Sequence, residues 1–378
     1  MAMDRLFLLM KEKEASDMFL AVNSAIHLKI NGCLVPINQQ KIDHAGIMSL
    51  LAEVLTPAQL ELLQHDNELN VGIPVHGVGS FRLSAFRQRG SISAVLRYVP
   101  VIIPALETLG VPGILQELIV KKRGLILIVG ATGSGKSTTI ASMLDYRNQH
   151  QAGHILTLED PIEFLFKNKR SIVNQREIGV DASSLNTALK NALRQAPDCI
   201  LIGEVRDRET MAAALAYAQS GHLVVTTLHA NNTYRALNRI INFYPIENRP
   251  ALLQDLAATI SAVVSQRLIP NVSGGRVAAI EIMLNTQHVA ELIEEGNIGA
   301  IKDAIENSMA PGSQTFEQAL MQLIREKRIT QEEALANADS ASNLYWLINN
   351  EPSQQQKAAP IESQPGGEAT FTEFTLDA

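Results

Sequence analysis

The sequence predicts an α/β chain centred on a parallel β-sheet, and three observations carry that prediction. Between about Leu115 and Leu284 short apolar runs alternate with helical stretches, as in consecutive βαβ units. One of these runs, Leu125 to Val129, leads directly into Gly130-Ala131-Thr132-Gly133-Ser134-Gly135-Lys136-Ser137. That segment matches the phosphate-binding pattern GxxxxGK[S/T] in the setting it needs, a buried strand opening into a helix. Finally, four apolar runs end in residues suited to chemistry. Leu125 to Val129 delivers the Gly-rich loop, Ile155 to Leu158 delivers Glu159-Asp160-Pro161-Ile162-Glu163, Cys199 to Ile202 delivers Gly203-Glu204, and Leu223 to Leu228 delivers His229. Ligands of open α/β sheets sit outside the carboxyl ends of the strands, so these four groups are expected on one rim.

The elements follow in order. Leu6 to Met10 resembles the apolar stretch of a signal peptide, but Lys11, Glu12, Lys13 and Glu14 cut it short, and an amphipathic helix is expected. Thr56-Pro57-Ala58-Gln59 is a capping box with proline at the first helical position, ahead of Leu60, Leu62 and Leu63. Between Gly72 and Arg97, β-branched and aromatic residues interleave with arginines, which reads as strands. Pro100, Pro104 and Pro112 with Gly110 and Gly113 mark a boundary. The expected organisation is an N-terminal α+β domain over 1–98, a linker over 99–114, the P-loop domain over 115–288, a helical region over 289–350 and a tail over 351–378. In the helical region Phe316, Leu320, Leu323 and Ile324 share a helix face, and Thr330-Gln331-Glu332-Glu333 is a second capping box. Beyond Glu351 the chain turns to Pro, Gln, Ser and Gly, the composition of disorder. Phe371, Phe374 and Leu376 in that tail are candidates for a short partner-binding motif.

Composition bounds the function. The chain has 378 residues and a formal charge of −7, so no global field recruits nucleic acid. Cys33 and Cys199 are too few for a disulfide framework or a Cys₄ zinc site, and a reducing cytosol is the expected compartment. No apolar run approaches the length of a membrane-spanning helix.

Glycines in the 130–137 segment let successive N–H groups face a polyphosphate, and the helix beginning near Lys136 adds the positive end of its dipole. Lys136 is expected to reach the β- and γ-phosphates and the Ser137 hydroxyl to ligate Mg²⁺. Gly130, Ala131, Thr132, Gly133, Ser134, Gly135, Lys136, Ser137 and Thr138 form the expected nucleotide-binding set. Hydrolysis further needs a Mg²⁺ ligand, a group that positions water and positive charge for the transition state. Glu204 stands where a Walker B carboxylate belongs, although Gly203 occupies a position that is Asp in many such ATPases. Glu159, Asp160 and Glu163 supply further carboxylates; the plainer reading is a solvated acidic loop. His229 is the candidate phosphate sensor, and His222, at the other end of the same strand, is expected to be structural. Arg82 and Arg97 are candidates for reaching a nucleotide on a neighbouring subunit, against surface salt bridges as the alternative; Arg194, Arg206 and Arg208 rank second.

Four signatures in order then carry a resemblance: GATGSGKS at 130–137, TLEDPIEF at 157–164, DCILIGEVRD at 198–207 and GHLVVTTLHA at 221–230. Over roughly residues 1 to 350 the chain resembles the secretion-superfamily ATPases, and within them the type IV pilus retraction ATPases of the PilT/PilU family. The resemblance implies a PAS-like N-terminal α+β domain followed by a RecA-like P-loop ATPase domain with C-terminal helices. It further implies a cytoplasmic homo-hexamer, peripheral to the bacterial inner membrane, that uses ATP and Mg²⁺ to turn a PilC-like platform protein, with no direct nucleic-acid contact. Glu163 would activate water and Glu204 would lie on the Mg²⁺ side, with the two roles exchangeable. Arg82 and Arg97 match the family's arginines that approach nucleotide across domains.

Two departures refine this. PilT-type members carry AIRNLIRE after the core domain, where this chain has Val289-Ala290-Glu291-Leu292-Ile293-Glu294-Glu295. The stretch TFEQALMQLIREKRITQEEALANADSASNL is similar to PilU-type members. Phe19, where PilT-type members have His, agrees with that. The implied role is an accessory motor acting with a PilT-type retraction ATPase; the alternative is a nucleotide-binding scaffold of the ring with little turnover of its own.

Overall fold

A computed structural model describes residues 1–350 apart from Asn31, His76, Pro100 and Val101. The tail residues Phe371, Phe374 and Leu376, and the boundary residue Pro100, therefore lie outside the described residues. The N-terminal part contains α1 (Ala2–Glu12), β1 (Asp17–Leu20), β2 (Ser24–Ile30), β3 (Cys33–Ile42), α2 (His44–Ala52), α3 (Pro57–Asp66), β4 (Glu68–Val75), β5 (Gly79–Gln88) and β6 (Ser91–Val99). Its strands form one antiparallel sheet in the order β3-β2-β1-β6-β5-β4. Alternate residues of β5 (Phe81, Leu83, Ala85) face the helices, as a half-buried strand requires. Phe81 stacks on Phe7 of α1 with ring centroids 4.1 Å apart, and Met3, Met10, Leu51 and Leu63 belong to the same core. At the start of α3 the Thr56 hydroxyl accepts from the Gln59 N–H and the Gln59 side chain accepts from the Thr56 N–H, so the capping box forms as written in the sequence.

The second part contains α4 (Ile114–Ile119), β7 (Gly124–Val129), α5 (Lys136–His150), β8 (Gly153–Glu159), β9 (Ser171–Glu177), α6 (Leu185–Ala192), β10 (Cys199–Ile202), α7 (Arg208–Gln219) and β11 (Leu223–Leu228). It continues through α8 (Thr233–Asn242), α9 (Arg249–Thr259), β12 (Ile260–Pro270), β13 (Arg276–Leu284), α10 (Gln287–Glu294), α11 (Ile301–Glu306), α12 (Phe316–Arg325), α13 (Gln331–Asn337) and α14 (Ala341–Asn350). The sheet order is β13-β12-β7-β11-β10-β8-β9, parallel throughout except for the β12–β13 pair. Every residue of β7 is buried, because helices cover both faces of the sheet; this is why the strand reads as a continuous apolar run. Leu125, Leu127 and Val129 pack against α6 to α11 on one face, and Ile126 and Ile128 pack against α4 and α5 on the other. Leu127 is completely buried at the centre. Leu127→Ala is expected to lower unfolding free energy by about 2–5 kcal/mol, read from the midpoint of urea denaturation at unchanged m-value.

The C-terminal helices close the β13 side. Phe316, Leu320 and Leu323 of α12 are buried against Ile269, Val277 and Ala279. In α10 the residues Val289, Leu292 and Ile293 face inward, which leaves Glu291, Glu294 and Glu295 exposed as an acidic face. Among the described residues no helix is long and apolar enough to cross a membrane.

Candidate nucleotide site

The strands β7, β11, β10 and β8 are consecutive neighbours and run parallel, so their carboxyl ends lie side by side. The Gly-rich loop leaves β7 and enters α5. Gly135 caps α5 with φ +87°, and a Cβ there would lie 2.7 Å from Gln266 Nε2. A Cβ at Gly130 would lie 2.6 Å from the Gln266 carbonyl oxygen. Only glycine therefore lets the loop settle on β12. Thr139, one turn into α5, donates from its hydroxyl to Gln266 Oε1 at 2.8 Å, which fixes the helix start to the same strand. Gln266 was not a candidate from sequence; its signal was a polar residue inside the apolar run of β12.

The Lys136 ammonium donates to the carbonyl oxygens of Gly130 at 2.8 Å and Ala131 at 2.9 Å. Burial pushes its pKa down, and the charges of Glu204 and Glu163 push it back up. Ser137 and Thr138 are half-buried on the first turn of α5, and the buried Ser134 hydroxyl has no protein partner. Where a Cβ of Gly133 would stand, no atom lies within 4 Å. An open loop with unused donors, a lysine at its mouth and hard oxygen ligands in Ser137 and Glu204 fits a nucleotide with Mg²⁺.

Glu204 follows β10, and its side chain is 18% exposed. Its Oε1 lies 3.3 Å from His229 Nε2, and its Oε2 accepts from Arg206 Nε at 2.7 Å. Arg206 also lies 3.7 Å from Asp160, so one guanidinium links two strand ends. At Gly203 a Cβ would lie 3.2 Å from the Leu158 carbonyl oxygen and 3.4 Å from Glu159 Cα. A side chain at 203 would therefore crowd the end of β8.

Among the acidic residues after β8, the structure separates roles that the sequence left merged. Glu159 is buried and accepts from the Thr157 hydroxyl at 2.6 Å and from the Glu163 N–H at 3.4 Å. Its register partner on β9, Glu177, accepts from the Ile162 N–H at 3.1 Å. The two strand-end carboxylates thus pin the turn that presents Glu163. Burial pushes both carboxyls up.

The two arginines from the N-terminal sheet face each other in register on β5 and β6. Arg97 donates from Nε to Asp17 at 2.8 Å. The Nε of Arg82 is buried without a hydrogen-bond partner, and its charge opposes the effect of burial on Glu177. Among the described residues neither makes a hydrogen bond or ion pair with the Gly-rich loop. His222 bonds to Ser220 and the Tyr217 carbonyl at the far end of β11.

Beyond His229, the N–H of Thr233 donates at 2.8 Å to Glu281, which is 3% exposed. Burial pushes the Glu281 carboxyl above its ordinary 4.5, the Thr233 bonds oppose this, and Asp339 and Glu317 add to it. A raised folded-state pKa gives stability that is present below the unfolded value and lost as pH rises through the folded one. Glu281→Gln keeps an acceptor for Thr233. It is expected to raise the urea midpoint at neutral pH and to lose that advantage as pH falls toward 4.5.

A family model described as "Type II/IV secretion system protein" matches residues 3–336. The chain is 44% identical over 349 residues to the type IV pilus ATPase PilU of Pseudomonas aeruginosa, covering 92% of this chain and 91% of that protein. It is 37% identical over 329 residues to the pilus retraction ATPase PilT of the same organism, covering 87% of this chain and 96% of that protein. The crystal structure of the pilus retraction motor PilT with bound ADP superposes with a TM-score of 0.84 at 37% identity, covering 90% of this chain and 98% of that one.

Proposed function

Because the chain belongs to the type II/IV secretion system protein family, we propose that the rim formed by β7, β8, β10 and β11 hydrolyses ATP to drive type IV pilus retraction. The chain is a pilus retraction ATPase, and its role in the reading proposed here is that of an accessory motor. One observation carries the catalytic reading: at the shared carboxyl rim of the sheet, Glu204 after β10 meets His229 after β11 at 3.3 Å.

The loop N–H groups and Lys136 hold the phosphates, with Gly130 to Thr138 lining the chain around them. Ser137 and Glu204 would hold Mg²⁺, which when bound supplies positive charge against the β- and γ-oxygens. Glu163, on a turn fixed by Glu159 and Glu177, accepts the proton of the attacking water. His229 touches the carboxylate of Glu204 and so senses whether the phosphate side is filled. Arg82 and Arg97 act across a subunit boundary in a homo-hexameric ring and add positive charge for the transition state to that of Arg206 at the rim.

The ring works at the cytoplasmic face of the inner membrane against a PilC-like platform protein and beside a PilT-type ATPase. Support for the accessory role comes from α10, whose exposed face carries Glu291, Glu294 and Glu295 in place of the arginine-bearing motif. Deleting this gene, alone and together with its PilT-type paralogue, tests the role when retraction is scored under load. Weakened retraction in the single mutant and none in the double supports it; full force in the single mutant contradicts it.

A further inference from the structure

Between β11 and α8 the chain spans only residues 229–232, and this short loop is tethered from outside the phosphate rim. Arg239 of α8 donates to the His229 carbonyl at 3.1 Å. Arg267 of β12 donates from Nη2 to the Asn231 carbonyl at 3.0 Å. The Asn232 side chain donates to Asp339 Oδ2 at 2.7 Å. Arg267 is the hub: its guanidinium also bonds Asp339 and the Asn337 carbonyl, and its Cζ lies 3.9 Å from the centre of the Phe316 ring. Phe316 opens α12, Asn337 ends α13, and Asp339 lies in the turn before α14. The side chains of Arg267 and Asp339 are only 21% and 16% exposed, so their attraction is weakly screened by solvent.

We propose that Arg267 and Asp339 are positioning residues for His229, through which the C-terminal helices set the contact between His229 and Glu204. This rests on the ATPase reading given above. A planar guanidinium offers donors in several fixed directions and suits a hub with three acceptors; a lysine offers a single charged point. Without Asp339, Asn232 loses its acceptor and Arg267, which also holds Asn231, loses its counter-ion, so one of the loop's tethers is cut and a second is loosened. The Gly-rich loop is seated on Gln266 and is left intact. The loss therefore falls on turnover and spares nucleotide affinity. Any shift in the C-terminal helices, such as one imposed by a docked protein, reaches the site by the same path.

The test is Asp339→Ala in the full chain, read by ATP turnover, by titration with a fluorescent ADP analogue and by amide hydrogen exchange across 229–233. Misplacing a group that senses the reacting phosphate should lower kcat about ten- to a hundredfold. ADP affinity should stay unchanged, exchange over 229–233 should quicken, and Asp339→Glu should restore most of kcat. Asn232→Asp keeps the α8 cap but faces Asp339 with a like charge; it should show the same split, and it covers the case in which Asp339→Ala does not fold. Unchanged kcat, or kcat and ADP affinity falling together with no local change in exchange, overturns the proposal. If the wild-type chain turns over no ATP, the catalytic reading fails while the exchange result still decides the tether: quickened exchange supports it and unchanged exchange overturns it.

Discussion

Lys136→Ala is expected to abolish measurable ATP turnover and to weaken nucleotide binding by about ten- to a hundredfold, the worth of one charge-assisted hydrogen bond. The ammonium is held on the carbonyls of Gly130 and Ala131 at 2.8 and 2.9 Å. Burial favours the neutral amine, and Glu204 and Glu163 hold the charge on it. Alanine therefore removes the cation that phosphate oxygens would meet and leaves two carboxylates at the rim without a nearby ammonium. Lys136→Arg fails to rescue turnover, because a planar fork does not replace a compact ammonium in a space bounded by two backbone carbonyls. Phosphate release and titration with a fluorescent ADP analogue read the two effects separately.

Glu163→Gln is expected to lower kcat on the order of 10²- to 10⁴-fold and to leave ADP affinity nearly unchanged, the signature of a lost general base. Glutamine keeps the size of the side chain and the turn that presents it, because that turn is held by Glu159 and Glu177 through backbone N–H groups. Glu204→Gln has a different signature. Its carboxylate holds Arg206 at 2.7 Å and meets His229 at 3.3 Å, so the substitution loosens both and raises the Mg²⁺ concentration needed for half-maximal turnover. If the two signatures come out reversed, the roles of Glu163 and Glu204 are exchanged.

The parts of this protein that were readable in its sequence are those whose physics is local. β7 announced itself because burial on both faces needs an unbroken apolar run, and Gly130 and Gly135 mark where the backbone must lie against β12. The Thr56 cap was readable because its partners lie three residues apart. The rest depends on contacts distant in sequence. Gln266 and Arg267 lie inside an apolar strand, where they look like interruptions until the loop and the C-terminal helices are packed against them. Arg97 gave no sign of its bond to Asp17, which is made by strand register across 80 residues. The acidic turn looked like one cluster, and only the pairing of β8 with β9 shows Glu159 and Glu177 as supports and Glu163 as the side chain they present.

Steady-state phosphate release by the purified chain decides whether the rim hydrolyses ATP. The expected result is ATP turnover that requires Mg²⁺ and disappears in Lys136→Ala. Tight ADP binding with no phosphate release, in the presence of Mg²⁺ and of the PilT-type partner, would contradict it and leave the chain a nucleotide-binding scaffold of the ring.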